Sequence, residues 1–337
     1  MTLARELFVT LADGAEHSGE SLAEAAGVTR SAVWKAIEQL RELGLDIEAR
    51  TNRGYRLATP SAPLDVRALR EAIGSSSRST LESLEILWET DSTNAQLLAR
   101  SPPPVGHFAV VLAENQKAGR GRRGRPWQAA LGGSLCLSIA TSYEPLPRDL
   151  PALTLMIGVC VWRAVTRCGA EGLALKWPND LVVAKSLAKV GGILVELRAE
   201  AGGPAHVVVG IGLNLRLSPA SREQIAGLGT QASDLAACGL SIDRREGLAA
   251  AVLDECLAGL ERFAREGFRP FIDAWRSVDA LRDRPVEVSG AAGETKRGMA
   301  RGIDAQGTLQ LDDSAGRRVA VQSGEVSVRL GRSALKN

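Results

Sequence analysis

The sequence predicts an α+β multidomain chain: an N-terminal winged helix-turn-helix, a central mixed α/β domain and a small C-terminal β-barrel. Three observations predict it. Apolar residues recur at helical spacing up to residue 44 and then alternate as in a hairpin. Strand-like and helix-like runs mix from about Leu84 to Val278. Beyond Leu281, short runs are cut by glycines, as in a small barrel. A length of 337 residues suits two or three domains. The expected bounds are 1–60 for the head, 61–82 for a linker, 83–278 for the central domain and 279–332 for the barrel.

In the head, Leu3, Leu7 and Leu11 form one apolar helix face, and Ser18 can cap a second helix carrying Leu22, Ala23 and Ala26. Gly27 breaks it and leads into a third helix from about Thr29, buried through Val33, Ile37 and Leu40 and ended by Gly44. Residues 45–50 alternate as a strand, 51–54 supply a turn, and 55–57 return as its partner. Residues 60–63 mark a boundary, 64–73 a linking helix and 75–77 a second soft patch. Further on, Leu135, Leu137 and Ile139 alternate on a strand, and 152–168 is apolar enough for a buried helix. Asp243 with Glu246 three residues later suggests a capping box for a helix through Phe263. Barrel strands are expected at 285–289, 298–303, 308–312, 317–322 and 325–329, with glycines at 290, 293, 307 and 316 between them.

With 45% hydrophobic and 24% charged residues, the composition is that of ordinary globular protein. A net charge of +2 sets up no global field toward nucleic acid or membrane, so any polyanion must meet a local cluster. The longest apolar run, 153–162, is about half a bilayer span. Glu6 and Asp13 in an amphipathic start argue against a signal peptide. Five cysteines without a C-x-x-C pair point to free thiols in a reducing cytosol. A cytoplasmic protein with no membrane partner is expected. His17, His107 and His206 lie far apart, so neither a metal site nor a histidine triad is expected.

The most informative stretch is Gly119-Arg120-Gly121-Arg122-Arg123-Gly124-Arg125. Its glycines let backbone N–H groups close around an anion, and its arginines offer forked, permanent charge that matches phosphate oxygens. A bare run of this kind could equally be a basic surface patch. Its place in mid-domain, between strands at 107–113 and 134–140, favours a ligand loop, ordered once a triphosphate neutralises it. No Gly-Lys-Ser/Thr ends it, so it is not a Walker loop. Three further pieces are weak alone. Lys176-Trp177-Pro178-Asn179-Asp180 could be a plain hairpin turn. Lys189-Val190-Gly191-Gly192-Ile193 places a lysine before a buried strand, and Gly210-Ile211-Gly212-Leu213-Asn214 closes another. Asp91-Ser92-Thr93-Asn94 could be a helix cap and no more.

Together, the stretches 114–127, 176–180, 189–193 and 210–214 closely resemble the biotin–protein ligases, and the head resembles the bifunctional bacterial type that also represses transcription. The resemblance extends over nearly the whole chain. It implies a central domain of the biotin/lipoate ligase type and an SH3-like C-terminal barrel. It also implies that biotin is joined to AMP from ATP, with Mg²⁺ on the phosphates, and passed to a lysine of a biotin carboxyl-carrier protein. Operator DNA and a homodimer formed with ligand bound are the further partners it implies.

Carried over by motif, Ser92, Thr93, Asn94 and Gln116 face biotin, while Arg120, Gly121 and Arg122 close the loop over biotin and the adenylate. Arg122, Arg123, Arg125, Trp127, Asn179, Asn214 and Arg329 belong to the ATP side. Lys189 bridges the biotin carboxylate and the α-phosphate, in place of Lys185, because it alone directly precedes the Gly-Gly-Ile strand. Lys189, Arg122 and Asp180 form the catalytic set, with Asp180 positioning or deprotonating the acceptor lysine. The departures are Pro126, where the family commonly has a basic residue, and a slightly long 180–189 segment.

Residues 1–60 carry seven Lys or Arg against nine Asp or Glu, a net charge of −2, whereas DNA-binding domains are usually basic. The positives gather on the third helix, at Arg30 and Lys35 beside Ser31, and on the wing, at Arg50, Arg53 and Arg56. Arg30, Ser31, Lys35 and Arg53 are the DNA-contact candidates; the competing use of such a head is protein contact. Two rival functions are a lipoate-type ligase, whose Arg-Arg, triple-glycine and His-Asp signature is absent, and a ligand-sensing transcription factor without catalysis. Retention of Lys189 and all four loop arginines argues against the second.

Overall fold

The computed structural model describes residues 2–50, 53–198, 204–242, 245–290, 294–324 and 326–331. In the head, α1 (Leu3–Leu11) buries Leu7, Phe8 and Leu11. Ser18 accepts from Ser21 N at 2.9 Å to cap α2 (Gly19–Ala26), and Gly27 ends it at φ +65°. Thr29 caps α3 (Arg30–Glu42), which buries Val33, Ile37 and Leu40. The strand expected from residue 45 starts later, as β1 (Ile47–Arg50). Leu45 N bonds back to Leu40 O and Gly44 N to Arg41 O, so 44–45 close the helix in a Schellman turn. β2 (Gly54–Leu57) pairs antiparallel with β1, Ile47 opposite Leu57. Thr51 and Asn52 of the expected turn lie outside the described residues.

The linking helix is α4 (Val66–Ala72), capped by Asp65, and the serine patch is a short helix, α5 (Ser75–Ser79), not a soft segment. Gly74 N before it donates to both carboxylate oxygens of Asp254 (3.1 and 3.2 Å), a tertiary anchor that local composition cannot show. A seven-stranded mixed sheet follows, formed by β3 (Leu81–Thr90), β4 (Phe108–Gln116), β5 (Ser134–Tyr143), β6 (Leu173–Lys176), β7 (Asp180–Val183), β8 (Lys189–Arg198) and β9 (Ala205–Asn214). Their order is β3-β4-β5-β9-β8-β7-β6, parallel only between β3 and β4. Between these strands run α6 (Thr93–Leu98) and α7 (Leu153–Arg167); α8 (Pro219–Gly227), α9 (Arg245–Glu266) and α10 (Ile272–Ser277) follow the sheet.

All ten residues of β5 are buried, because the strand is central and covered on both faces. Its large residues, Leu135, Leu137 and Ile139, join the main core with α7 and α9. Its small ones, Cys136 and Ser138, stand opposite Gly212 and Gly210 of β9, and Gly192 of β8 pairs with Gly212. Alternation of large and small therefore gives the sheet one packed face and one hollow face. Residues 150–167, helix α7 with the turn before it, are long and apolar enough to cross a membrane by composition alone. Most of that segment is buried in this fold against the sheet and α9. Asp243 of the expected capping box lies outside the described residues; Glu246 Oε1 instead accepts from Asp65 N at 2.9 Å.

The expected small barrel is built from five antiparallel strands: β10 (Pro285–Ser289), β11 (Thr295–Ile303), β12 (Leu309–Asp312), β13 (Arg318–Val321) and β14 (Ser327–Leu330), in the order β13-β12-β11-β10-β14. β11 begins three residues earlier than expected, since Thr295, Lys296 and Arg297 pair with β10 while carrying no apolar signal. Gly293 and Glu325 lie outside the described residues. Val286, Val288, Leu309 and Val328 share one core with the central domain. The buried Trp177 ring also donates its N–H to Gly307 O at 3.0 Å. The head docks separately: Leu131 inserts into the head's own core, and its N–H donates to Leu43 O at 2.8 Å.

Candidate active site

Two adjoining hollows open on the small-residue face of the sheet. The smaller, about 50 Å³, is lined by Ser92, Thr93, Asn94, Gln116, Arg120, Gly121, Trp127, Asn179, Lys189 and glycines 192, 210 and 212. The larger, about 320 Å³, is lined by Gly121, Arg122, Arg123, Arg125, Trp127, Lys176, Asn179, Asp180, Lys189, Asn214 and Arg329. Gly121, Trp127, Asn179 and Lys189 line both and so form the shared wall.

The glycines explain how that wall is built. A Cβ on Gly212 would lie 2.5 Å from Trp127 Cε2, and one on Gly210 would lie 2.4 Å from Asn94 Oδ1. Only a strand without side chains at these two positions lets an indole and an amide lie against it. Lys189 Nζ then sits 5.7 Å from the Trp127 ring centroid and 2.7 Å from Asp180 Oδ1. Asn179 Nδ2 donates to Ile193 O at 3.0 Å, and Asn214 Nδ2 donates to Ser233 O at 3.0 Å. Ser92 does cap α6, at 3.5 Å to Ala95 N, and it also lines the smaller hollow.

The larger hollow gathers six cations, Arg122, Arg123, Arg125, Lys176, Lys189 and Arg329, against the single carboxylate of Asp180. Burial and the neighbouring charges of Lys189, Arg125 and Arg329 hold the Lys176 ammonium below the usual lysine range, with Asp180 pulling the other way. Burial likewise lowers Arg122. A site that repels its own cations is one built for an anion. Among the described residues, no group of three or more His, Cys, Asp or Glu is placed to hold a metal.

Comparison with known proteins decides the family. The model of the Biotin/lipoate A/B protein ligase family matches residues 90–214, an HTH domain matches 5–56, and the Biotin protein ligase C terminal domain matches 283–329. The Bifunctional ligase/repressor BirA of Salmonella typhimurium is 36% identical over 97% of this chain and 98% of its own length. That of Escherichia coli is 35% identical with the same coverage. The chain belongs to the biotin protein ligase family. Among solved structures, the Biotin protein ligase from Aquifex aeolicus in complex with biotin and ATP is 27% identical over 74% of this chain and 99% of its own, with a TM-score of 0.62.

In this biotin protein ligase, every residue nominated from the sequence for biotin lines the smaller hollow except Arg122, which lines only the larger. The Arg122 guanidinium donates to the carbonyls of Ser323 and Gly324, and Arg125 reaches Ser327 Oγ at 3.4 Å, so the C-terminal sheet clasps the loop. All residues nominated for ATP line the larger hollow. Glu114, at the start of the motif, faces away from both: it holds the buried Arg245 at 2.8 Å and accepts from Leu64 N. Sequence reasoning missed Lys176 as a lining cation, although it stands in the motif. It also missed Ser138 and Glu196, which only cross-strand pairing brings under the site.

In the head, Arg30, Ser31 and Lys35 lie exposed on the outer face of α3. The wing arginines are engaged within the head. Arg50 pairs with Glu16 at 2.7 Å and with Glu48 at 3.0 Å, Arg56 with Glu48 at 2.8 Å, and Arg53 with Glu16 at 3.6 Å. Trp34, not singled out from the sequence, stands 54% exposed between Arg30 and Lys35.

Proposed function

We propose that this biotin protein ligase joins biotin to ATP as biotinyl-5'-AMP, releasing diphosphate, and passes biotin to a lysine of a biotin carboxyl-carrier protein. The head then serves as a biotin-responsive repressor on operator DNA. The observation that carries this reading is the position of Lys189 in the wall between a small and a large, strongly cationic hollow. Biotin in the smaller hollow, with its carboxylate toward Lys189, faces the α-phosphate of ATP in the larger one. Attack on phosphorus brings negative oxygen against negative oxygen, so fixed cations lower the barrier most. An ammonium touching both anions also holds the partners in line.

Mg²⁺ enters on the nucleotide's own phosphate oxygens, Asp180 being the one carboxylate among the larger hollow's lining residues. When Lys189 turns to the ligand anions, Asp180, 2.7 Å from it beforehand, is released to hold the acceptor lysine, which must be neutral to attack the mixed anhydride. The loop at 119–125 covers the adenylate and keeps water from it. We further assign residues 1–60 to the head, 279–332 to the barrel and those between to the ligase domain, whose core takes Leu64, Leu69 and Ile73 of the expected linker 61–82 and whose sheet begins at Leu81. The protein works in the cytoplasm, as a homodimer when liganded. Incubating the full chain with biotin, Mg-ATP and a biotin carboxyl-carrier domain tests the reading. Biotinylation of one carrier lysine, lost when that lysine is arginine, is expected, and an unlabelled carrier contradicts it.

A further inference from the structure

Beneath the smaller hollow runs a chain of side-chain hydrogen bonds that starts at Glu196 on β8. Asn94 Nδ2 donates to Glu196 Oε2 at 2.7 Å and to Leu194 O at 3.4 Å. An amide has one donor end and one acceptor end, so this carboxylate turns Asn94 Oδ1 toward Ser138. Ser138 is fully buried, and its Oγ lies 2.6 Å from Asn94 Oδ1 and 2.7 Å from Thr93 Oγ1. Thr93 in turn donates its N–H to Gln116 Oε1 at 2.8 Å, and its hydroxyl, with one proton to give to Ser138 or to Gln116, lies 3.1 Å from the same oxygen. One largely buried network therefore orients three of the side chains that line the hollow, and its only carboxylate is Glu196.

The other oxygen of Glu196 faces the ligand loop. Arg120 Nη2 lies 3.5 Å from Glu196 Oε1, a long pair between partly exposed groups. An incoming carboxylate or phosphate can take both prongs of that guanidinium at shorter range. We propose that Glu196 is a positioning residue with two separable actions: it fixes the orientation of Asn94 for biotin, and it competes with the bound ligand for Arg120. The inference rests on the reading of the smaller hollow as the biotin site.

Two variants of the full chain separate the actions. Glu196→Gln keeps a carbonyl for Asn94 and removes the charge that holds Arg120. Glu196→Ala removes both. In biotin-dependent ATP–diphosphate exchange, Glu196→Gln is expected to leave the biotin KM within about twofold. It should slow release of biotinyl adenylate from the isolated complex by up to about fivefold, the most that an exposed ion pair commonly supplies. Glu196→Ala is expected to raise the biotin KM about tenfold, a hydrogen bond's worth, with the ATP KM within about twofold. An unchanged biotin KM in the alanine variant overturns the first action, as does an ATP KM that rises in step with it. Unchanged or faster adenylate release in the glutamine variant overturns the second. Wild-type protein that makes no adenylate from biotin would instead overturn the biotin reading itself, and this inference with it.

Discussion

At the residue scale the larger hollow trades stability for anion binding. Lys176 is half-buried among Lys189, Arg125 and Arg329, and its ammonium is disfavoured by burial first and by those charges next. Replacing it by methionine should raise the Tm of the ligand-free protein and raise the KM for ATP at least tenfold, a charge-assisted bond's worth. Folding lowers the Lys176 pKa below the ordinary 10.5, so its penalty is complete while both states hold the proton and fades as pH rises toward that value. The Tm gap between wild type and Lys176→Met should therefore narrow with rising pH in thermal melts. A methionine variant of lower Tm would contradict the account. Residues that advertise charge inside a motif, such as Arg122, Lys189 and Arg329, were legible in sequence. Ser138 and Glu196 were not, because each lies outside the motif stretches and reaches Asn94 only when strands distant in sequence pair. The glycines at 210 and 212 could be seen, but their reason, an amide and an indole lying on them, belongs to the fold.

At the element scale, the loop at 119–125 and helix α3 are the two elements to which the proposed function assigns outward roles. The loop is pinned at its middle by Arg122 on the carbonyls of Ser323 and Gly324, and three of its arginines, Arg120, Arg122 and Arg123, are trypsin sites, Arg125 being shielded by Pro126. Biotin with Mg-ATP should slow tryptic cleavage after Arg120, Arg122 and Arg123 by about tenfold or more, and equal rates with and without ligands would contradict closure over the adenylate. In the head, Glu16 and Glu48 pair with the three wing arginines, so a DNA phosphate must displace these carboxylates before it gains the charge of Arg50, Arg53 or Arg56. Each phosphate contact contributes about −0.9 to the slope of log K against log salt. A head relying on Arg30 and Lys35 should give a slope of about −2 per protomer, with the exposed Trp34 supplying apolar contact to base edges. On a duplex selected by the wild type from a randomised pool, Trp34→Ala should lose about tenfold in affinity with diphosphate exchange unaltered. A slope beyond about −5 per protomer would return the wing arginines to the DNA. Here too, helices and caps were legible, whereas the short helix Ser75–Ser79 and the pairing of Glu16 with Arg50 and Arg53 depend on partners distant in sequence.

At the scale of the whole molecule, the central domain and the C-terminal sheet act as one body. They share a core, Trp177 bonds Gly307 across the join, and Arg329 reaches the same hollow as Asn179 and Lys189. The motif Lys-Trp-Pro-Asn-Asp thus divides its work: Trp177 fastens the domains, while Lys176, Asn179 and Asp180 line the site. The head is fastened by Leu131, four residues after Trp127, so the chain leaving the ligand wall ends in the head's core. The central claim is that this whole body condenses biotin with ATP at Lys189. The most direct test is ATP–diphosphate exchange by the purified full chain with biotin, lipoate, octanoate or no acid, beside a Lys189→Ala variant. Exchange with biotin alone, reduced about 10²-fold or more in a folded Lys189→Ala protein, is the predicted result. Exchange driven by lipoate or octanoate, or none with any acid, would contradict it.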